Sequence, residues 1–165
     1  EEILLVQSKN FRGDYMGLVA GFVETGETLE EAVKRETLEE TGLTLNSVRY
    51  CGIVTFVSDK WETEYMHIFW SDDFSGEIKA CDEGDLCWIP KEDVYNLPIW
   101  EGDKIFLRLM DENVPFFSLK LEFCNLVVTG LLVPYAVVGK ADREERIVVE
   151  SCLRIRHVQV KSAVS

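Results

Sequence analysis

The chain has 165 residues, the length of one domain, and its 47% hydrophobic and 28% charged content is that of an ordinary globular protein. The net charge of −13 argues against a protein that grips nucleic-acid backbones, so we expect no nucleic-acid polymer as partner. The longest apolar stretch, residues 126–138, is shorter than the ~20 residues that span a bilayer, so we expect no membrane partner either.

The first half of the chain predicts two strands followed by a helix. Apolar runs at residues 3–6 and 18–20 favour strands, and residues 21–27 favour a loop with two glycines. Thr28 and the glutamate three residues later form the pattern of a capping box. Apolar residues then recur at helical spacing until a glycine at position 42, which predicts a helix over residues 29–41.

The second half predicts further strands and one more helix. Residues 48–57 and 65–70 favour two strands of one antiparallel pair, and residues 86–89 favour a short strand. Residues 101–110 have helical periodicity, and residues 117–123 alternate as a strand does. This order predicts an α+β fold in which helices cover a mixed β-sheet.

Three glutamates of the first helix form the most informative cluster. Glu36, Glu39 and Glu40 are spaced i, i+3 and i+4, which places three carboxylates on one side of one turn. Like charges at this distance repel, and a hard divalent cation with oxygen ligands removes that repulsion. The alternative interpretation is a solvated acidic helix face.

The residues around the cluster favour a site over a solvated face. Arg35 adjoins Glu36, and Glu27 lies eight residues earlier, so an arginine–carboxylate pair can tie the loop to the helix and aim the glutamates. Gly21 and Gly26 frame the loop and permit close backbone approach.

Residues 21–43, GFVETGETLEEAVKRETLEETGL, resemble the Nudix box, G-x5-E-x7-R-E-U-x-E-E-x-G-U, where U is aliphatic. Eight positions match at the required spacing: Gly21, Glu27, Arg35, Glu36, Glu39, Glu40, Gly42 and Leu43. Thr37 departs from the pattern, and we expect this to lower stability rather than to abolish chemistry.

The resemblance implies the Nudix fold, an α/β/α sandwich, and hydrolysis of nucleoside diphosphate derivatives that depends on Mg²⁺ or Mn²⁺. It implies that Glu36, Glu39 and Glu40 bind the metal with the Gly21 carbonyl as a further ligand, and that Glu39 or Glu36 is the general base. Arg35 would orient these catalytic groups, and Glu27 and Gly42 would be structural residues of the box.

Residues 82–123 resemble the MutT-type oxidised-purine nucleotide hydrolases, through the segments DEGDLCWIP, LPIWEGDKIF and VPFFSLKLEF. The resemblance implies that Glu83 reaches the metal, that Trp100 stacks on the purine and that Asp103 hydrogen-bonds its edge. The alternative interpretations are a turn carboxylate for Glu83, a core position for Trp100 and a first-turn helix position for Asp103.

The two halves of the chain point to different Nudix substrates. The opening, LLVQSKNFRGDYMGLVAGFVETGET, looks like the NADH-hydrolase type, although the SQPWPFPxS segment usual for that type is not found after the box. We expect hydrolysis of a purine nucleoside triphosphate such as 8-oxo-dGTP. The alternatives are a dinucleotide or nucleotide sugar of the NADH or ADP-ribose type, and a non-catalytic nucleotide-binding module.

The remaining expectations concern organisation and location. We expect a Nudix domain over residues 1–123 whose usual first strand is missing, and an extension of unknown role over residues 124–165. One β-prone run of the extension, from the same chain or from a partner, is expected to fill the position beside residues 3–6, and the alternative is a loosely packed extension. Five cysteines without a CxxC pair, and an opening without a basic segment, predict a cytoplasmic protein with reduced thiols. Whether it forms a homodimer is left open.

Overall fold

The computed structural model of the chain describes residues 1–8, 16–82, 84–124, 127–135 and 145–153. The helices are α1 (Leu29–Thr41), α2 (Lys91–Val94) and α3 (Glu101–Asp111). The strands are β1 (Glu2–Ser8), β2 (Met16–Gly17), β3 (Val19–Phe22), β4 (Thr44–Leu45), β5 (Arg49–Ser58), β6 (Glu64–Ser71), β7 (Phe74–Ser75), β8 (Gly84–Pro90), β9 (Phe116–Cys124), β10 (Val127–Tyr135) and β11 (Glu145–Leu153).

Nine of the described strands form one mixed sheet. Its order is β10-β9-β5-β6-β11-β1-β2, with β3 beside β11 and β8 beside β1, and β4 and β7 form a small separate sheet. β5 and β6 are antiparallel, which confirms the predicted pair. β5 runs parallel to β9, and β3 runs parallel to β11.

Two apolar layers lie on opposite faces of this sheet. In β1 the side chains alternate, so that Ile3 and Leu5 enter one cluster, while Leu4 and Val6 enter the other. The first cluster packs against α3, and the second contains Val33 of α1. The helices therefore cover both faces, as expected for an α/β/α sandwich.

Helix α1 has the bounds that the sequence predicts, because its capping signals are strong and local. The Thr28 side chain accepts a hydrogen bond from the Glu31 amide, and the Glu31 side chain accepts one from the Thr28 amide, which completes the capping box. Gly42 ends the helix with φ of 80°, a left-handed conformation that favours glycine.

The structure differs from the predicted elements in several places, including the strand before α1, the segment after β8 and the short strands β2, β4 and β7. Gly21 and Phe22 were expected in a loop, but they continue β3, because β11 pairs with them. Helix α2 was not predicted, since four residues are too few to show periodicity. β11 also pairs with β1, but only at Glu2 and Ile3, while Val6 and Gln7 pair with β2. Of the run at residues 3–6 beside which a tail strand was expected, β11 therefore reaches only Ile3.

No helix in the described part of the chain is both long enough and apolar enough to cross a bilayer.

Candidate active site

Glu36 lies directly against the backbone of strand β3. Its Oε1 atom accepts a hydrogen bond of 3.0 Å from the Phe22 amide. A Cβ atom placed on Gly21 would overlap the Glu36 carboxyl group, so only glycine leaves room for this contact. The Glu36 side chain is 16% exposed, which means that most of it is shielded from water.

Arg35 connects the loop, the strand and the acidic turn. Its Nε and Nη2 atoms donate to the two carboxyl oxygens of Glu27 at 2.6 and 2.9 Å, and Nη2 also donates to the Phe22 carbonyl at 2.9 Å. The predicted arginine–carboxylate pair is therefore present, and it is bidentate. Because Glu27 also accepts from the Glu24 amide, the loop before α1 is tied to the helix from both sides.

The electrostatics of this pair favour the charged forms of both partners. The hydrogen bond from Arg35 is the main cause that lowers the pKa of Glu27 to about 2, with a further contribution from the Glu24 amide. In turn, the hydrogen bond to Glu27 raises the pKa of Arg35, and Glu36 adds to this effect. The positive charge between the glutamates is therefore permanent at any working pH.

Glu36 and Glu39 share one nitrogen of Arg35. The Nη1 atom lies 3.0 Å from Glu36 Oε1 and 3.2 Å from Glu39 Oε2. Glu39 is the more open of the two, with a side chain 61% exposed, and Glu40 on the same turn is partly buried. Two carboxylates are thus already drawn towards a single positive charge.

The side chains of the acidic turn are oxygen donors of the kind that bind hard metal ions. Within the described residues, no group of three or more acidic, cysteine or histidine side chains is arranged to hold a metal ion. The donors nevertheless fit a hard divalent cation, because they are anionic oxygens that already meet around one cationic nitrogen, beside the backbone of Gly21.

Trp100 and Asp103 lie at the start of α3, on the opposite face of the sheet from α1. Trp100 precedes the first helical residue, and its ring packs edge-on against Phe56 with centroids 5.1 Å apart. Asp103 is only 6% exposed, although it sits in the first turn of the helix. The structure therefore places these two residues together, but not within the glutamate cluster.

Glu83 lies outside the described residues, so its expected role stays a prediction. Its neighbour Gly84 begins β8 opposite Ser8, at the end of β1.

Two residues near these groups were not singled out from the sequence. Phe22 contributes through its main-chain amide and carbonyl, which no side-chain pattern can reveal. Phe56 was assigned only to a strand, and its contact with Trp100 depends on the packing of β5 against α3.

Together, the fold and the cluster define an α/β/α sandwich with an acidic helix locked onto a glycine-containing strand. The comparison with protein families gives the particular family: a family model described as the NUDIX domain matches residues 1–110. The chain belongs to the Nudix family.

The similar proteins found among curated sequences carry hydrolase names. An oxidized purine nucleoside triphosphate hydrolase of Danio rerio is 34% identical over 118 residues, which are 70% of this chain and 75% of that protein. The NAD-capped RNA hydrolase NudC of Vibrio cholerae is 42% identical over 81 residues, which are 48% of this chain. The match covers only 28% of that NudC protein.

A solved structure supports the fold over most of the chain. The MutT protein of Bacillus halodurans superposes with a TM-score of 0.74 and 27% identity, covering 82% of this chain and 92% of that one. The Nudix fold expected from the sequence is therefore confirmed.

Proposed function

We propose that the chain is a divalent-metal-dependent pyrophosphohydrolase that converts a purine nucleoside triphosphate, such as 8-oxo-dGTP, to the monophosphate and pyrophosphate. The observation that carries this proposal is the acidic turn of α1, which Arg35 and the Phe22 amide hold against Gly21. Carboxylates held in this way suit metal-assisted hydrolysis of phosphoric anhydrides, because fixed ligands set the position of the cation and of the attacking water.

In this proposal Glu36, Glu39, Glu40 and the Gly21 carbonyl hold Mg²⁺ or Mn²⁺, with Glu83 as a further candidate ligand. The bound cation neutralises phosphate charge and lowers the pKa of water. Glu39 or Glu36 accepts the proton of the attacking water. Arg35 is a positioning residue, because its guanidinium group fixes both carboxylates relative to the loop.

The choice of a purine nucleotide rests on the start of α3. Trp100 offers an aromatic face beside Phe56, and stacking of one base on such a ring contributes ~1–3 kcal/mol. The shielded Asp103 offers carboxyl oxygens that accept hydrogen bonds from base N–H groups. The Danio rerio relative, named as an oxidized purine nucleoside triphosphate hydrolase, supports the same choice.

A dinucleotide substrate is the second candidate, and the NudC relatives favour it. They are 40–42% identical to this chain over 81 to 94 residues. Those relatives are named for NAD-capped RNA, but the net charge of −13 argues against an RNA chain as partner here. A module that binds nucleotides without hydrolysis is the third candidate, although such modules usually lose box glutamates.

The test is a substrate panel with the full chain: 8-oxo-dGTP, dGTP, NADH and ADP-ribose, each with Mg²⁺, Mn²⁺ or EDTA. We expect hydrolysis of 8-oxo-dGTP to be most efficient and to stop in EDTA. Glu39→Gln should reduce kcat by ~10²-fold, since it removes a major electrostatic contribution, whereas Glu30→Gln, an exposed glutamate on the same helix, should not. Full activity in EDTA would contradict the proposal.

The proposed stacking of the base on Trp100 is tested by replacing Trp100 and, as a control, a second tryptophan. Trp100→Ala should raise KM for purine nucleotides by the equivalent of ~1–3 kcal/mol if its ring stacks on the base. Trp61→Ala is the control, because Trp61 is 61% exposed in the loop between β5 and β6. If Trp100→Ala leaves KM unchanged for 8-oxo-dGTP, the purine assignment is wrong and a dinucleotide becomes preferable.

A further inference from the structure

Strand β3 carries both of the backbone groups that hold the acidic helix. Within the residues that the structure describes, it pairs with one strand. The Phe22 amide binds Glu36, and the Phe22 carbonyl binds Arg35. In the described part of the chain, β3 pairs with β11 and with no other strand. The pairing runs from Val19↔Val149 to Phe22↔Cys152, so it covers the whole of β3.

Strand β11 in turn connects β3 to the rest of the sheet. It pairs with β6 over seven positions, from Ile147↔Ser71 to Leu153↔Tyr65, and with β1 at Glu2 and Ile3. The same four residues, 149–152, face β3 on one side and β6 on the other. The placement of Phe22 relative to the sheet is therefore set through a segment about 130 residues further along the chain.

We propose that residues 145–153 form a positioning strand for the candidate active site. Pairing of residues 149–152 with β3 fixes the Phe22 amide and carbonyl, and these groups hold Glu36 and Arg35. Displacement of reacting groups by about 1 Å costs up to ~10²-fold in rate, so loss of this pairing lowers turnover even in a folded molecule. Since Glu36 is taken to act in hydrolysis, this inference rests on the proposed function.

The register between β3 and β11 is tested by pairs of engineered cysteines in the full chain. Cys152, which lies in β11, is replaced by serine in these variants so that it does not compete for disulfide formation. Ala20 lies opposite Glu150, and neighbouring strands are about 4.8 Å apart, which suits a disulfide. Ala20→Cys with Glu150→Cys should form a disulfide, detected by mass spectrometry. Ala20→Cys with Val149→Cys is the control, because a shift of one residue places the second cysteine on the other face. Equal linkage in both pairs, or none in the first, overturns the placement of β11.

The positioning role is tested by Ser151→Pro, opposite Gly21, because proline removes a main-chain donor from a central strand. We expect kcat per folded molecule to fall at least ~10-fold with little change in KM. Amide exchange should accelerate at residues 19–22 and stay unchanged in α3. Ser162→Pro, outside β11, is the control. Parent kcat in Ser151→Pro with faster exchange in β3 would show that the strand only stabilises the fold, and would overturn the proposal.

If Ser151→Pro does not fold, the variant with Ala20→Cys and Glu150→Cys provides a second test of the positioning role. In its oxidised form, exchange at residues 19–22 should slow and kcat should persist to higher urea than in the reduced form. Equal urea dependence of kcat in the two forms would count against the proposal. Cross-linking and amide exchange can be measured without any hydrolysis. An inactive parent chain would therefore refute the proposed function, and these two measurements would still test the pairing of β11 with β3.

Discussion

Gly21→Ala is the substitution that tests the candidate site most directly. Glycine leaves space at this position for the Glu36 carboxyl group, and a Cβ atom would overlap that group. Either Glu36 moves away from the Phe22 amide, or β3 shifts relative to α1. In both cases the 3.0 Å hydrogen bond between the Phe22 amide and Glu36 is lost.

The size of the effect follows from that bond. A hydrogen bond to a charged group contributes about 1.5–3 kcal/mol, and Glu36 is sufficiently shielded for this range to apply. If the loss falls on the transition state, kcat decreases about ten- to a hundredfold, since each 1.36 kcal/mol is one factor of ten. If β3 shifts instead, overpacking adds a destabilisation of ~1–3 kcal/mol.

The assay measures kcat for 8-oxo-dGTP and the free energy of unfolding in urea for Gly21→Ala and for Gly17→Ala. Gly17 is the matched control, because it also lies in a short strand but no heavy atom is within 4 Å of a Cβ placed there. We expect Gly17→Ala to behave like the parent. Parent-like kcat and stability in Gly21→Ala would refute the close contact and the role assigned to Glu36.

Two further predictions concern the helix and its loop. Thr37 is fully buried, and its hydroxyl donates to the Val33 carbonyl at 2.8 Å. Thr37→Val should leave the free energy of unfolding in urea unchanged or raise it by up to ~1 kcal/mol. Thr37→Ser should lower it by ~1 kcal/mol, because the lost methyl group leaves a void. Glu27 has a pKa lowered to about 2, so its ionised form stabilises the fold above the ordinary value of 4.5, and this contribution is lost as pH falls towards 2. The difference in urea midpoint between the parent and Glu27→Gln should therefore narrow from pH 5 to pH 2, and a constant difference would contradict the pairing with Arg35.

The sequence predicts helix α1 and the cluster on it because the signals are local. Thr28, Glu31 and Gly42 act within one turn of the helix ends, so their effect depends little on the rest of the fold. The spacing of Glu36 and Glu39 likewise fixes their common side of the helix. The contact between Arg35 and Glu27 could also be predicted, because only eight residues separate them in the sequence.

Contacts over long sequence separations were harder to predict. The apolar character of the tail indicated strands, but not that β11 enters the sheet between β6 and β3, because many pairings satisfy the same alternation. The continuation of β3 through Gly21 and Phe22 depends on that pairing and was missed for the same reason. The separation of Trp100 from the glutamates, on opposite faces, also follows from topology rather than from any local pattern.

Arg35 explains how so acidic a turn remains folded. Glu36 and Glu39 repel each other, and the helix has no basic residue in its last turn to offset them. Arg35 supplies the opposing charge at Nη1 and anchors itself on Glu27 and the Phe22 carbonyl through its other nitrogens. Because this arrangement uses only groups of the chain itself, we expect the acidic turn to fold without a bound cation, unlike small domains whose folding depends on their metal.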